Sequence, residues 1–232
     1  MSSSPSPAPE VALSPSLGSR ALGGFGASII GGAVLGIAAW WTDRLGFPWT
    51  AYIPANAIGA WLGLAFLLGS TARTIPTGAL RGLIGIVSAI AAYYLLNRLF
   101  GEGYRASGAS HAATVWGAAA LIAGPVMGFA GATWRHGRGW PRGVAVAMLG
   151  AALIAEGIVF GAERLRYLDE IGTDPGAVVG AIEALLGLAL PAFLLRRGER
   201  LAGYVALAMF TLVAVVALGP LVSVLRALAD RF

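Results

Sequence analysis

Residues 143–161 read GVAVAMLGAALIAEGIVFG, a run with one charged side chain, Glu156. A helix needs about 20 mainly apolar residues to cross the roughly 30 Å hydrocarbon layer of a bilayer. This run meets that length. The segment before it, RHGRGWPR at 135–142, carries three Arg and belongs in water. Six further windows repeat the pattern, at about 21–41, 53–71, 80–98, 112–134, 176–195 and 201–225. Arg81 and Arg98 closely bracket the third of these. In lipid every backbone N–H and C=O must be satisfied within its own segment or within a closed barrel. The runs are too long and too continuously apolar for barrel strands, which alternate polar and apolar residues. The sequence therefore predicts an all-α polytopic membrane bundle of about seven transmembrane helices.

Composition supports this reading. Of 232 residues, 57% are hydrophobic and 12% charged, and mean hydropathy is +0.77. A soluble domain carries about 25% charged residues, so there are too few polar groups to cover a soluble surface. The chain has no Cys, which excludes a disulfide scaffold, a thiol enzyme, a zinc–thiolate site and an iron–sulfur centre. Its two histidines, His111 and His136, do not suggest a His-rich metal site. There is no P-loop, no H-E-x-x-H and no nucleophile elbow. No catalytic residue, metal or cofactor is expected. All sixteen basic residues are Arg, and the pI is near 10.2. They sit singly or in short clusters between apolar runs, as charges held at membrane edges do. The expected partner is a lipid bilayer and not nucleic acid.

Residues 1–20, MSSSPSPAPEVALSPSLGSR, are dominated by Ser and Pro. They cannot bury enough apolar surface to offset the entropy of ordering, so a disordered tail is expected there, ahead of a transmembrane domain at 21–232. The tail lacks the basic start and apolar stretch of a secretory signal. With the N-terminus inside, the inner segments carry nine Arg against Glu10 and Glu199. The outer ones carry seven Arg against seven acids. RHGRGWPR and RRGER are the clearest inner loops, which places the N-terminus in the cytoplasm of a bacterial cell and the C-terminus outside. Trp40, Trp41, Trp49, Trp134 and Trp140 fall at helix ends, and Trp116 near one, where amphipathic rings anchor at headgroup level.

Gly32-Ala-Val-Leu-Gly36-Ile-Ala38 is matched by Gly124-Pro-Val-Met-Gly128-Phe-Ala130 at an offset of 92 residues. The same offset carries the second window onto the fifth and, approximately, the third onto the sixth. That suggests a 3+3 inverted repeat plus one helix, an arrangement common in secondary transporters. In a chain this rich in Gly and Ala, chance also produces such matches. Small residues spaced by four recur at Gly32/Gly36, Gly59/Gly63, Gly124/Gly128 and Gly176/Gly180. They fit close packing within the chain or within a homo-oligomer. Pro125, Pro191 and Pro220 interrupt three windows and predict kinks.

Two carboxylates lie inside windows, Glu156 and Glu183. A charge at the helix centre costs about 2.5–3.5 kcal/mol on insertion scales, so a functional reading is the starting hypothesis. The fifth and sixth helices are antiparallel and consecutive, which puts the two carboxylates at similar depth on neighbours. Tyr52, Asn56, Tyr93, Tyr94, Asn97, Arg98, His111 and Trp116 gather toward the same outer side. Tyr93 and Asn97 share a helix face, as do Tyr94 and Arg98. One reading is a ligand-binding cavity opening outward, lined by Asn56, Tyr93, Asn97, Arg98, Glu156 and Glu183. The other is a set of structural hydrogen bonds with snorkelling Tyr and Arg. His136, surrounded by Arg, reads as a headgroup contact.

The stretch PANAIGAW with Asn56, the Ala-Tyr-Tyr-Leu of the third window, GPVMGFAGATWR across the fourth and Ala-Glu-Gly in the fifth resemble a family of small actinobacterial multi-pass membrane proteins of unknown function. The resemblance covers roughly residues 25–200, leaving out the tail and the last helix. It implies an integral membrane protein and supplies no activity. Asn56 and Glu156 are the positions it carries over. Two functions from different classes fit the residues. One is a permease-like transporter in which protonatable Glu156 and Glu183 line a pocket for a small-molecule ligand or a proton. The other is a non-transporting subunit that binds a ligand or partner within a larger membrane complex. An intramembrane enzyme has least support.

Overall fold

The computed structural model describes residues 17–45, 57–100, 104–165 and 175–230. Among them the chain forms seven α-helices: α1 (Leu17–Arg44), α2 (Ile58–Ser70), α3 (Ile75–Phe100), α4 (Tyr104–His136), α5 (Trp140–Leu165), α6 (Pro175–Leu194) and α7 (Arg200–Asp230). A short 3-10 turn, Arg197–Glu199, leads into α7. Each helix falls on one of the seven apolar windows. The tail's first sixteen residues lie outside the described residues, and α1 begins within the remainder. Pro76, Pro141 and Pro175 sit in the first turns of α3, α5 and α6, where a missing N–H costs nothing. The helices continue through Pro125, Pro191 and Pro220.

Among the described residues, five helices are long and apolar enough to cross a membrane: Gly23–Arg44, Ile75–Phe100, Ala112–His136, Trp140–Val159 and Arg197–Ala217. The window bracketed by Arg81 and Arg98 is one of them. The short member is α2, whose 13 residues span about 20 Å at 1.5 Å per residue. One or both of its ends must therefore stop inside the bundle.

The helices fall into two groups. In the first, α3 packs along α1, α2 and α4; in the second, α5 packs along α6 and α7. Contacts of α4 and α2 with α5 join them. This neighbour pattern does not reproduce the suggested repeat. α1 lies along α3, whereas their supposed counterparts α4 and α6 have at most a marginal contact.

Core positions are filled largely by Ala, as in the cluster Ala147, Ala151, Ala206 and Leu207 and in Phe66, Ala130, Ala145 and Leu149. Close backbone approach, which dispersion rewards where lipid offers no hydrophobic gain, explains the choice. A Cβ on Gly32 or Gly36 would strike the Gly85 or Ala89 carbonyl of α3. One on Gly124 would come 2.8 Å from Leu83 Cα, and one on Gly128 would strike the Gly78 carbonyl. These spaced glycines serve packing within the chain. Gly63 differs, since a Cβ there meets nothing within 4 Å. The outer surface is apolar, with Ile122, Phe193, Leu201 and Leu212 all more than 60% exposed. Apolar exposure on that scale belongs against lipid.

Candidate functional site

The first N–H groups of a helix have no intrahelical partner. In α2 the preceding residue, Ala57, offers no side-chain cap. Glu156 of α5 supplies one. Its Oε1 accepts the Ile58 N–H at 2.6 Å and its Oε2 accepts the Gly59 N–H at 2.6 Å. The residue is 2% exposed. An anion at a helix N-terminus is favoured by both the free N–H groups and the macrodipole.

Gly59 makes room for this approach. A Cβ there would strike Leu153 and stand 3.2 Å from Glu156 Oε2 and 3.7 Å from Glu183 Oε1. The two carboxylates are therefore neighbours around a single point at the start of α2. Gly157 brings their helices together, since a Cβ on it would strike the Gly180 carbonyl of α6. The Ala-Glu-Gly motif thus combines a capping anion with the small residue that lets α6 approach. Glu183 is half-buried, and no described residue hydrogen-bonds to it.

The other end of α2 carries the opposite charge. Arg81, 7% exposed on α3, donates from Nη1 to the Thr71 carbonyl at 3.0 Å and to Thr71 Oγ1 at 3.0 Å. Its guanidinium occupies the space a Cβ on Gly24 would need and lies 5.8 Å from the Phe25 ring. His136 Nε2 lies 2.7 Å from the Ala72 carbonyl, so its ring bonds the α2–α3 turn. Nearby, Gly139 N–H donates to Glu199 Oε1 at 3.0 Å, and Arg142 pairs with Glu199 at 3.8 Å. The α2–α3 turn and the two Arg-rich turns therefore meet at one end of the bundle.

The predicted site residues on α3 do not all face one way. Asn56 lies outside the described residues, as do Tyr52 and Trp49. Tyr93 donates to Asp43 Oδ2 and stands edge-on to Trp61 of α2, with ring centres 6.4 Å apart. Asn97 is buried one turn further along α3. Arg98 is exposed and shares with Tyr94 a lateral cleft of about 490 Å³ between α3 and α4. The reason is angular. Residues 93 and 97 form one stripe of α3, and residues 94 and 98 the next stripe, about 100° round the helix. The first faces the bundle and the second faces outward. The sequence reading missed Arg81, because it placed the third helix at 80. Thr74-Ile75-Pro76 is the signal that α3 starts earlier and carries Arg81 inward.

Among the described residues no group of three His, Asp or Glu is arranged to hold a metal ion. Among the described residues, the arrangement offers a buried, oriented carboxylate beside a second one without a hydrogen-bond partner, inside an all-helical bundle with five membrane-length helices. That defines the class, a helical bundle of the polytopic membrane kind. Residues 16–225 match the model of a family described as "Family of unknown function (DUF6518)", and the chain belongs to it. The match extends through most of α7, so the last helix is part of the family unit and not an addition to it. No curated protein and no solved structure matches the chain.

Proposed function

We propose that this protein is a small permease of the bacterial cytoplasmic membrane that binds a proton or small cationic solute at the Glu156/Glu183 pair. The observation behind it is the carboxylate pair at the buried start of a helix too short to span the bilayer. Transporters often place ion and substrate sites at such helix ends. There the exposed N-terminus commonly attracts an anionic substrate group. Here Glu156 already occupies that position, so a second anion would meet an occupied N-terminus and two acidic side chains. A proton or a cation meets the reverse. Glu156 then acts as the positioning anion, and Glu183, with no hydrogen bond to give up among the described residues, acts as the exchanging group. In this reading the Arg-rich end faces the cytoplasm and the N-terminus lies inside, following the distribution of Arg over the short loops.

The test is flux in reconstituted vesicles loaded with a pH-sensitive dye and challenged with a proton gradient, then with small organic cations. Wild-type protein should carry flux. Glu183→Gln should abolish it while the protein still inserts and elutes as a single species. Flux unchanged in Glu183→Gln refutes the assignment. If wild-type vesicles stay silent and mild-detergent purification yields stoichiometric partner subunits, the non-transporting role replaces it.

A further inference from the structure

We propose that the lateral cleft between α3 and α4 is a binding site for one anionic phospholipid, with an acyl chain in the cleft and the phosphate at Arg98. This site is separate from the carboxylate pair and does not depend on a transport function.

The cleft comes from an uneven distribution of glycine. Toward the Arg-rich end, α3 and α4 touch backbone to backbone through Gly78, Gly82, Gly124 and Gly128, where an added Cβ would collide with the facing helix. Two turns further along α4, a Cβ on Gly117 would meet nothing within 4 Å. The helices are therefore tight at one end and splayed at the other. The space between them is about 490 Å³ and is bounded by Val87, Ile90, Tyr94, Arg98, Gly117 and Leu121. That lies within the 300–1,000 Å³ range of small-molecule sites.

Its length and polarity match a lipid. From Val87 to Arg98 the cleft runs about 16 Å along α3 at 1.5 Å per residue. One leaflet of hydrocarbon is about 15 Å, half of the roughly 30 Å core. The inner end is aliphatic, and the outer end carries Tyr94 and Arg98. Arg98 lies in the last turn of α3, whose 26 residues span about 39 Å and so reach beyond a roughly 30 Å hydrocarbon core. It is exposed, and no described residue forms a hydrogen bond or ion pair with it. A cation at the mouth of an apolar slot one leaflet deep complements an anionic headgroup above a single chain. A free phosphate would leave the apolar walls without an occupant.

The test uses the full-length protein, purified, stripped of lipid and transferred to mixed micelles. These hold equal amounts of phosphatidylglycerol and phosphatidylcholine with the same acyl chains. Native mass spectrometry then counts bound lipids. One retained phosphatidylglycerol, enriched about fivefold over phosphatidylcholine, is expected from a single Arg near the headgroups. Arg98→Gln should bring the enrichment to parity while a lipid is still retained. Gly117→Phe should fill the cleft and remove the retained lipid of either kind, without a backbone clash at the Cβ position. Equal retention of the two lipids by wild type overturns the proposal. So does unchanged enrichment in Arg98→Gln, or retention in Gly117→Phe at the wild-type level.

Discussion

Removing the Glu156 carboxylate should loosen α2 at its start, by an amount set by two bonds. Each carboxylate oxygen accepts one backbone N–H at 2.6 Å, and the side chain is 2% exposed, so water does not substitute easily. A hydrogen bond to a charged group contributes about 1.5–3 kcal/mol. Glu156→Ala loses both bonds and leaves two N–H groups unpaired, a cost of about 3 kcal/mol at the lower bound. Glu156→Gln keeps one carbonyl oxygen and turns an NH₂ toward the other N–H, which should cost about half as much. Unfolding by increasing SDS in mixed micelles reads the stability difference. Hydrogen exchange at the Ile58 and Gly59 amides reads it locally, where 1.4 kcal/mol corresponds to a tenfold change in a local opening equilibrium. The expected order is wild type, then Gln, then Ala, with the faster exchange confined to the first turn of α2. If Ala costs no more than Gln, or if those two amides exchange as in wild type, the carboxylate is not the cap.

The other expectations are narrower. Gly128→Ala should destabilise by about 1–3 kcal/mol, the usual cost of overpacking, because its Cβ would strike the Gly78 carbonyl; Gly63→Ala should melt as wild type in the same detergent. Arg81→Gln should cost about 2 kcal/mol through the lost Thr71 bonds, and the double variant with Glu156→Gln should be additive within about 0.5 kcal/mol, since the two sites share no partner. The chain has no native Cys, so single cysteines at Arg73, Arg138 and Arg197 can be probed in intact cells with a membrane-impermeant maleimide. All three should be protected and then labelled together after lysis; labelling of any one from outside refutes the orientation.

The architecture was legible because membrane helices announce themselves by length and apolar continuity, and each of the seven windows holds a helix. The juxtaposition of Glu156 and Glu183 was also legible, because consecutive antiparallel helices constrain depth. What could not be read was the angular direction of each polar residue. Tyr93 and Tyr94 are adjacent in sequence yet face the bundle and the lateral cleft respectively, and with apolar residues on every side of α3 no amphipathic pattern marks the difference. The length of α2 was missed for a related reason. Residues 53–57 are apolar enough to extend a window, and hydropathy does not register that a charge on α5 caps the helix at Ile58. The apparent repeat failed because Gly and Ala pairs at four-residue spacing recur wherever backbones pack closely, whatever the topology.

The two side chains that bind the ends of α2 belong to different helix groups, and that decides what kind of element it is. Arg81 comes from α3 in the first group and Glu156 from α5 in the second. Neither needs the other as a partner. Each is neutralised in part by the end of the macrodipole it faces, positive at Ile58 and negative at Thr71. A direct Arg81–Glu156 ion pair would tie α3 to α5 at one depth. A helix placed between the charges ties them across about 20 Å and also fixes polarity, because reversing α2 would set like against like at both ends. So α2 acts as an oriented strut between the groups, anchored by side chains that it does not itself carry. Glu183, on α6, is the acidic residue left out of that arrangement. Gly157 and Gly187 hold its helix against α5, which leaves its Oε1 3.7 Å from where a Cβ on Gly59 of α2 would stand, and no described residue hydrogen-bonds to it. In the permease proposed above, a change of protonation at Glu183 would leave in place the two N–H bonds by which Glu156 holds α2.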